Sequence, residues 1–350
     1  MIAGIDKLIK EAIDNSVMPG GNYALIAKGK KYFASFGKKA LIPEVEENDL
    51  NTLYDMASLT KVVVTTTSIL LLLEQGKLRL FDQVSLYVPE FIHKDITIWD
   101  LLTHTGGLPA DVSKSSYSNK EELLAQIMNV ELKYTKNTRI VYSDIGFMLL
   151  GFVVANVSQM PLDEFAKKNI FKPLEMSSST YNPTDVKRCA PTEDRKTHID
   201  RGYVHDEKAY QLGGVSGHAG LFSTVKDVSN FMEMILNDGL FKGKKFLSKQ
   251  SIDLIYTVQV EEANGISRAL SRRSLGWIVK GDFPVSGDLA SPNTIMHTGF
   301  TGTHIFIDRD NKVAFSLLTN RVHPTRENNL LNAFRGRLGN YILSHLDEIE

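Results

Sequence analysis

The sequence has little cysteine and no excess of charge of either sign. Its 350 residues include one cysteine, Cys189, which excludes an intramolecular disulfide and offers no cluster of metal ligands. There is no His-Glu-x-x-His pattern either, so we expect no metal site. Lysine plus arginine number 40 and aspartate plus glutamate 41. Because nucleic acids and anionic membranes are bound through basic patches, which this chain lacks, neither is an expected partner.

The sequence also lacks a long uninterrupted apolar run. The most apolar stretch, 62–73, is about twelve residues long, whereas a bilayer span needs roughly twenty. We therefore expect a buried core helix there and no membrane span. Residues 1–19 have the pattern of an amphipathic helix, without the apolar core of about 7–15 residues that a secretory signal needs. This favours a cytoplasmic location, and the alternative is a leader that has been removed.

What the sequence does have is β-prone runs near both ends, with helical patterns between them. Hydrophobic residues make up 43% of the chain, enough for a sizeable core. The order predicts an α/β (α+β) fold, in which both chain ends build one antiparallel sheet flanked by helices, with an all-helical domain inserted. We place the sheet domain at 1–80 and 225–350, the mainly helical insertion at 81–224, and the active site between them. The β-prone runs are 22–28, 31–37, 275–280, 303–308 and 312–319.

A Ser-x-x-Lys pattern occurs three times, where composition alone predicts roughly one or two. Ser35 lies in a predicted strand, where residues three apart point to opposite faces. Ser223 precedes a predicted helix as a capping residue would. Ser58 alone opens a long apolar helix. The three matches are Ser35/Lys38, Ser58/Lys61 and Ser223/Lys226.

Ser58 and Lys61 have the spacing of a nucleophile and its activating group. Residues three apart on a helix share a face, about 5–6 Å between Cβ atoms, so the Lys61 ammonium reaches the Ser58 hydroxyl. A charged lysine in a buried first turn needs a reason, because an unpaired buried ammonium costs several kcal/mol. Activation of the serine is one such reason. The alternative is a capping serine followed by a lysine that extends to solvent.

Further motifs make the pattern specific. Segment 55–61 is Asp-Met-Ala-Ser-Leu-Thr-Lys, 142–144 is Tyr-Ser-Asp and 297–299 is His-Thr-Gly. These resemble, in order, the three active-site motifs of the penicillin-recognising serine enzymes. Segments 101–109 and 213–224 are also similar to that family, in its branch of class C β-lactamases, carboxylesterases, D-aminopeptidases and DD-peptidase relatives. The resemblance covers nearly the whole chain and implies a beta-lactamase/transpeptidase-like fold.

The resemblance implies roles for the motif residues. Ser58 would attack an acyl carbonyl and become the acyl-enzyme. Tyr142 would be the proton acceptor, with Lys61 and His297 around it, and the alternative base is a Lys61 made neutral by desolvation. The backbone N–H groups of Ser58 and Phe300 would form the oxyanion hole.

Four other positions are expected to shape substrate binding. Thr298 and Gly299 would let the strand approach the substrate. Asp144 stands where most relatives have asparagine, and it would pair with Lys61. His297 stands where β-lactamases have lysine, so a mostly neutral imidazole replaces a cation. The last two differences favour neutral or amine-bearing acyl substrates over β-lactams.

Two groups of residues outside the motifs are expected near the site. His104 and His218 lie in glycine-flanked loops and should hydrogen-bond to the backbone and shape the site. The pair 205–206 and the stretch 320–324 are candidates for contacts at its rim.

The sequence therefore predicts a serine hydrolase without a cofactor. It would cleave an ester or amide in a small-molecule or short-peptide acyl substrate, as a carboxylesterase or as a D-amino-acid peptidase or amidase. The alternative is a penicillin-binding member of the superfamily that is catalytically weak or a non-catalytic scaffold.

Overall fold

The computed structural model describes residues 1–113, 116–264, 269–282 and 284–349. Ten α-helices lie in these ranges, and a π-helical turn, Lys61–Thr66, leads directly into the second of them. They are α1 Ile2–Asp14, α2 Thr67–Glu74, α3 Ile98–Leu102, α4 Lys120–Met128, α5 Asp144–Ser158, α6 Leu162–Ala166, α7 Glu207–Gln211, α8 Val225–Leu236, α9 Lys249–Tyr256 and α10 Leu331–Ser344.

Fourteen strands lie in the same ranges, and nine of them form one antiparallel sheet in the order β3-β2-β1-β14-β13-β12-β11-β10-β9. The strands are β1 Gly20–Ala27, β2 Lys30–Ala40, β3 Glu46–Glu47, β4 Tyr54–Asp55, β5 Thr180–Tyr181, β6 Leu221–Ser223, β7 Leu240–Phe241, β8 Lys244–Lys245, β9 Val260–Asn264, β10 Ala269–Arg273, β11 Ile278–Val279, β12 Thr294–Thr298, β13 His304–Asp308 and β14 Val313–Thr319.

The central pair of the sheet joins the two ends of the chain. Strand β1 pairs with β14 along its length, with Ala24 opposite Ser316. The prediction of an antiparallel sheet built from both chain ends is confirmed. Successive side chains of a strand point to opposite sides of the sheet, so the apolar residues of β1 and β14 contribute to both faces.

Helices cover both faces of the sheet. Tyr23 and Leu25 of β1 pack in one apolar cluster with residues of α1 and α10. Ala24 and Ile26, on the other face, pack in a second cluster with α8, α2 and α5. That second cluster continues into the helical part of the chain, so the sheet and the inserted segment share a core. The division at 80/81 and 224/225 stays a prediction.

The inserted segment 81–224 is mainly helical rather than entirely so. It contributes β5 and β6, which pair with β4 in a separate three-stranded sheet. In the described part of the chain, no single helix has both the length and the apolar composition of a bilayer span. Helices 144–158 and 162–171 meet both criteria only as a pair, and they are bent by 73° to each other.

Four strands of the large sheet, β3, β9, β10 and β12, were not predicted from the sequence. His297 and Thr298 end β12 itself, and the strand expected to follow them begins only at His304. Strands β9 and β10 were also missed. Their sequences are Val-Glu-Glu-Ala-Asn and Ala-Leu-Ser-Arg-Arg. Because solvent reaches this part of the sheet, both contain charged residues, and neither has the apolar run that indicates a strand.

Candidate active site

The three motif segments meet at one cleft of about 610 Å³. The first segment leads into the buried helix, the second immediately precedes α5, and the third ends β12. Lys61 lies beneath the cleft, with none of its surface exposed. All eight residues that the sequence analysis selected are thus brought together. Those in the cleft wall are Ser58, Tyr142, Asp144, His297, Thr298, Gly299 and Phe300.

The ammonium group of Lys61 is held by three oxygen atoms. Its Nζ atom donates to Ser58 Oγ at 2.9 Å and to the carbonyl oxygen of His218 at 3.2 Å. It forms an ion pair with Asp144, 2.7 Å from Oδ1. The predicted pairing of Lys61 with Asp144 is therefore present, and the serine hydroxyl lies against a cation.

The charge state of Lys61 is set by two opposed effects. Burial alone lowers the pKa of its ammonium, because a charged group loses its hydration. The negative charge of Asp144 and the Tyr142 phenol raise that pKa, and together they outweigh burial. Lys61 is therefore cationic at neutral pH, which argues against the alternative of a neutral lysine base.

Tyr142 lies between two cations and two imidazoles. Lys61 Nζ is 4.8 Å from the centroid of its ring, and the guanidinium carbon of Arg273 is 5.5 Å from it. The rings of His104 and His297 have their centroids 4.8 and 6.1 Å away. A negative charge on the phenol oxygen would therefore be stabilised from both cationic sides.

Both imidazoles beside Tyr142 are neutral. Burial holds the pKa of His297 well below its usual value, and the charges of Lys61 and Arg273 add to this effect. His104 is lowered in pKa for the same reasons. His104 Nδ1 accepts the backbone N–H of Ser143 at 3.1 Å, so His104 shapes the loop that carries Tyr142, as expected.

The backbone around Ser58 and Phe300 fits an oxyanion hole. In the described chain, no carbonyl or side chain accepts from the backbone N–H of either residue. A Cβ atom added at Gly299 would lie 2.6 Å from the Met56 carbonyl oxygen. Only glycine therefore allows β12 to approach the segment just before Ser58 this closely. Thr303 Oγ1 also donates to that carbonyl, at 3.0 Å. The two free N–H groups are thus held on adjoining segments.

The segment before Ser58 is locally strained. Ala57 has a left-handed φ of 46°, and its N–H donates to Asp55 Oδ1 at 2.8 Å. The other oxygen of Asp55 accepts from the backbone N–H of His205 at 2.7 Å. Strain of this kind persists where surrounding contacts over-determine the backbone, as they do at many functional sites.

A second chain of contacts, not predicted from the sequence, fixes the carbonyl that binds Lys61. The His218 ring bonds to Asp206 Oδ1 through Nε2 and to Ser216 Oγ through Nδ1, each at 2.8 Å. Burial acts to raise the pKa of Asp206, but the contact with the His218 ring and other neighbours outweighs it and holds that pKa below its usual value. Residues 205–206 had been expected at the rim, and both line the cleft.

Four arginines in the cleft were not selected from the sequence: Arg273, Arg326, Arg335 and, except as part of a candidate rim stretch, Arg321. Arg273 is the one nearest to Tyr142. Its Nε and Nη1 atoms are buried, and no described residue accepts a hydrogen bond from them. Burial lowers the pKa of Arg273. It offers the cleft an unpaired cation, and no motif marks it.

Among the described residues, two groups of side chains have the spacing of metal ligands, and each contains a carboxylate that is paired with a basic side chain. Asp144, Asp206 and His218 lie close together, and Lys61 pairs with the first of them. The other group is Glu193, Asp200 and His205, in which Glu193 pairs with Arg195 and Arg326.

The fold is that of beta-lactamases and transpeptidases. A family model described as Beta-lactamase matches residues 5–339. The chain belongs to the beta-lactamase family.

Relatives in this family carry several activities in their names. A protein of Escherichia coli O157:H7 called "Putative D-alanyl-D-alanine carboxypeptidase" is 33% identical, over 91% of this chain and 82% of its own length. Two solved structures share the fold. The hydrolase EstCE1 is 19% identical with a TM-score of 0.78 and 97% of each chain covered. A class C beta-lactamase from Rhodobacter sphaeroides is 20% identical with a TM-score of 0.75, over 97% of this chain and 99% of its own.

Proposed function

We propose that the protein is a serine hydrolase that forms an acyl-enzyme at Ser58 and removes the C-terminal residue of a short peptide. The observation that carries this proposal is the contact of Lys61 Nζ with Ser58 Oγ, 2.9 Å, inside a cleft that also holds Tyr142. A cationic lysine against a serine hydroxyl favours the alkoxide that attacks a carbonyl.

Tyr142 is the proton acceptor in this proposal. Lys61 keeps its proton, because Asp144 stabilises the ammonium, so it does not serve as the base. Two cations stand beside the Tyr142 ring and stabilise the charge that a phenolate carries. The phenolate takes the proton of Ser58 as Oγ attacks, and returns it to the leaving amine when the C–N bond breaks.

The remaining steps use the backbone. The N–H groups of Ser58 and Phe300 bind the oxygen of the tetrahedral intermediate, where one such donor is worth about 10²–10³ in kcat. Water then attacks the ester carbonyl, its proton passes to Tyr142, and Tyr142 returns that proton to Oγ as the Oγ–C bond breaks. The free serine is regenerated and the shortened peptide is released with a new carboxylate.

Arg273 supports a substrate that carries a free carboxylate. Its buried guanidinium has two N–H groups without partners in the described chain, and it lies beside Tyr142. A guanidinium binds a carboxylate through two parallel hydrogen bonds. The C-terminal carboxylate of a peptide would satisfy it, whereas a simple ester would leave it unpaired. The relative named as a carboxypeptidase agrees with this assignment.

The proposal is tested with a peptide that ends in D-Ala-D-Ala and the same peptide with a C-terminal amide. We expect release of D-alanine from the acid, at least about tenfold slower cleavage of the amide, and loss of this preference in Arg273→Gln. Ser58→Ala should abolish turnover, and Ser35→Ala, which changes the Ser-x-x-Lys match in β2, should not.

Other outcomes would favour the remaining candidates. Turnover of a short-chain p-nitrophenyl ester without cleavage of either peptide would favour a carboxylesterase. Stable labelling by a fluorescent penicillin without turnover of any substrate would favour the penicillin-binding scaffold.

A further inference from the structure

Two arginines at one end of the cleft have unusual surroundings. Arg321, which follows β14, and Arg335, on α10, are 6% and 5% exposed, and both line the cleft. Asn329 and Asn332 line the same end. This group of four residues, which we call the arginine pocket, lies next to Phe300, since the guanidinium carbon of Arg321 is 4.7 Å from the centroid of that ring.

Neutral oxygens are the only acceptors that these two guanidiniums have in the described chain. Arg321 Nε donates to the Phe300 carbonyl oxygen at 3.0 Å, and Arg335 Nη2 donates to the Thr303 carbonyl oxygen at 3.0 Å. Arg335 Nη1 donates to Asn332 Oδ1 at 3.1 Å, whereas its buried Nε has no acceptor. No described carboxylate forms an ion pair with either arginine.

A third arginine in the same cleft provides the contrast. Arg326 pairs with Glu193 and Glu207, and these hydrogen bonds raise its pKa. Burial lowers the pKa of Arg335 to about 10, and the charge of Arg321 contributes to the shift. Burial also lowers the pKa of Arg321. Two desolvated cations that repel each other cost stability, and such costs are typical of binding sites for the opposite charge.

The arginine pocket and Arg273 lie on opposite flanks of the oxyanion strand. In the sheet, β12 stands between β10, which carries Arg273, and β14, which leads to Arg321. We take a peptide whose C-terminal carboxylate contacts Arg273 to extend its acyl part past Phe300, toward the arginine pocket on the other flank. Arg321 and Arg335 also contact the carbonyl oxygens of Phe300 and Gly299, beside the reacting carbonyl.

We propose that the arginine pocket binds a second carboxylate of the substrate, carried on its acyl part. This inference rests on the proposed function, since it takes the C-terminal carboxylate to lie at Arg273. It assigns the substrate class as a peptide with an acidic residue on the acyl side of the scissile bond, in place of the neutral or amine-bearing acyl part that the sequence alone favours. Guanidinium groups suit a carboxylate because their N–H groups match its two oxygens.

The test uses Ser58→Ala protein, which binds without turnover, and two peptides, acetyl-Glu-D-Ala-D-Ala and acetyl-Gln-D-Ala-D-Ala. Calorimetry should give a Kd at least tenfold lower for the glutamate peptide. A further Arg321→Gln change should remove the preference, and Arg321→Lys should keep part of it. As the matched control, Arg273→Gln should raise the Kd of both peptides by the same factor and leave the ratio of the two Kd values unchanged.

Binding of acetyl-glutamate and acetyl-glutamine, which lack the leaving group, separates this inference from the proposed function. A preference for acetyl-glutamate that depends on Arg321 supports the arginine pocket even if no peptide is hydrolysed. Equal affinities for the two members of each pair, or a preference that survives Arg321→Gln, would overturn the inference and leave the acyl-enzyme proposal standing.

Discussion

At Lys61, burial and a neighbouring charge act on the pKa of the ammonium in opposite directions. The neighbouring charge is that of Asp144, whose carboxylate oxygen Oδ1 lies 2.7 Å from Lys61 Nζ. The carboxylate holds the lysine in its charged form and takes up part of that charge. Keeping Lys61 charged helps it to stabilise a phenolate at Tyr142, whereas sharing its charge with Asp144 weakens that stabilisation.

Asp144→Asn should move the alkaline limb of the pH profile. With the carboxylate gone, burial dominates and lowers the pKa of Lys61, so the ammonium loses its proton at lower pH. We expect the alkaline limb of kcat/KM to shift to lower pH by at least about one unit. Steady-state rates from pH 6 to 10 measure this shift.

Asp111→Asn is the matched control, because Asp111 lines the same cleft and pairs with Lys208 instead of Lys61. The alkaline limb of kcat/KM for Asp111→Asn should lie at the same pH as that of the unaltered protein. An unshifted limb in Asp144→Asn would mean that Asp144 does not govern the charge of Lys61.

Ser58 and Lys61 were predictable because three residues along a helix fix their distance locally. Arg273 and Arg335 were not, because nothing near either residue in the sequence distinguishes it from a surface arginine. Their burial follows from strand order and from the docking of α10, which are properties of the whole fold.

Contacts between the end of β12 and the segment 55–58 position the two oxyanion donors, which are the backbone N–H groups of Ser58 and Phe300. Thr301 Oγ1 donates to the Asp55 carbonyl oxygen at 2.7 Å, and Thr303 Oγ1 donates to that of Met56. Gly299 lies where the two segments meet, and an added Cβ would be 2.1 Å from Thr303 Oγ1. The position of the Phe300 N–H relative to Ser58 depends on these contacts.

Gly299→Ala should therefore lower kcat by about 10²–10³, the effect of losing one oxyanion donor. The added methyl group displaces β12 from the Met56 carbonyl oxygen and carries the Phe300 N–H with it. Gly336→Ala is the control, since its Cβ meets nothing within 4 Å. Steady-state kinetics with circular dichroism spectra tests both, and a Gly299→Ala enzyme that is folded and fully active would contradict this account.

The helices were easier to predict than the strands for a physical reason. Helix α5 and the buried helix after Ser58 have long apolar runs, so their sequences indicate burial directly. Strands β9 and β10 end in charged or polar residues at the outer part of the sheet, and neither was predicted. Their pairing is decided by the neighbouring strand rather than by their own pattern.

At the scale of the molecule, the site carries several buried histidines that stay neutral in the folded state. Burial lowers the pKa of His104, His297 and His304 well below 6.5. The unfolded chain binds these protons near pH 6.5 and the folded chain does not. Their contribution to stability is thus present above pH 6.5 and is lost as the pH falls from 6.5 toward the folded values.

The free energy of unfolding should therefore fall below pH 6.5, by up to about 1.4 kcal/mol per histidine for each pH unit. Urea unfolding at pH 7.5, 6.5 and 5.5 measures this slope. His304→Gln, which removes one of the three groups, should make the slope shallower. A slope that is the same in His304→Gln and the unaltered protein would show that His304 is protonated in the folded state.

The most direct measurement of the central claim is the mass of the acyl-enzyme. The protein is mixed with a penicillin or with the D-Ala-D-Ala peptide, quenched in acid within milliseconds to minutes, digested and mapped by mass spectrometry. Our account predicts one added acyl group, on the peptide that contains Ser58, and its absence in Ser58→Ala. An adduct on another residue, or turnover of the peptide by Ser58→Ala, would contradict it.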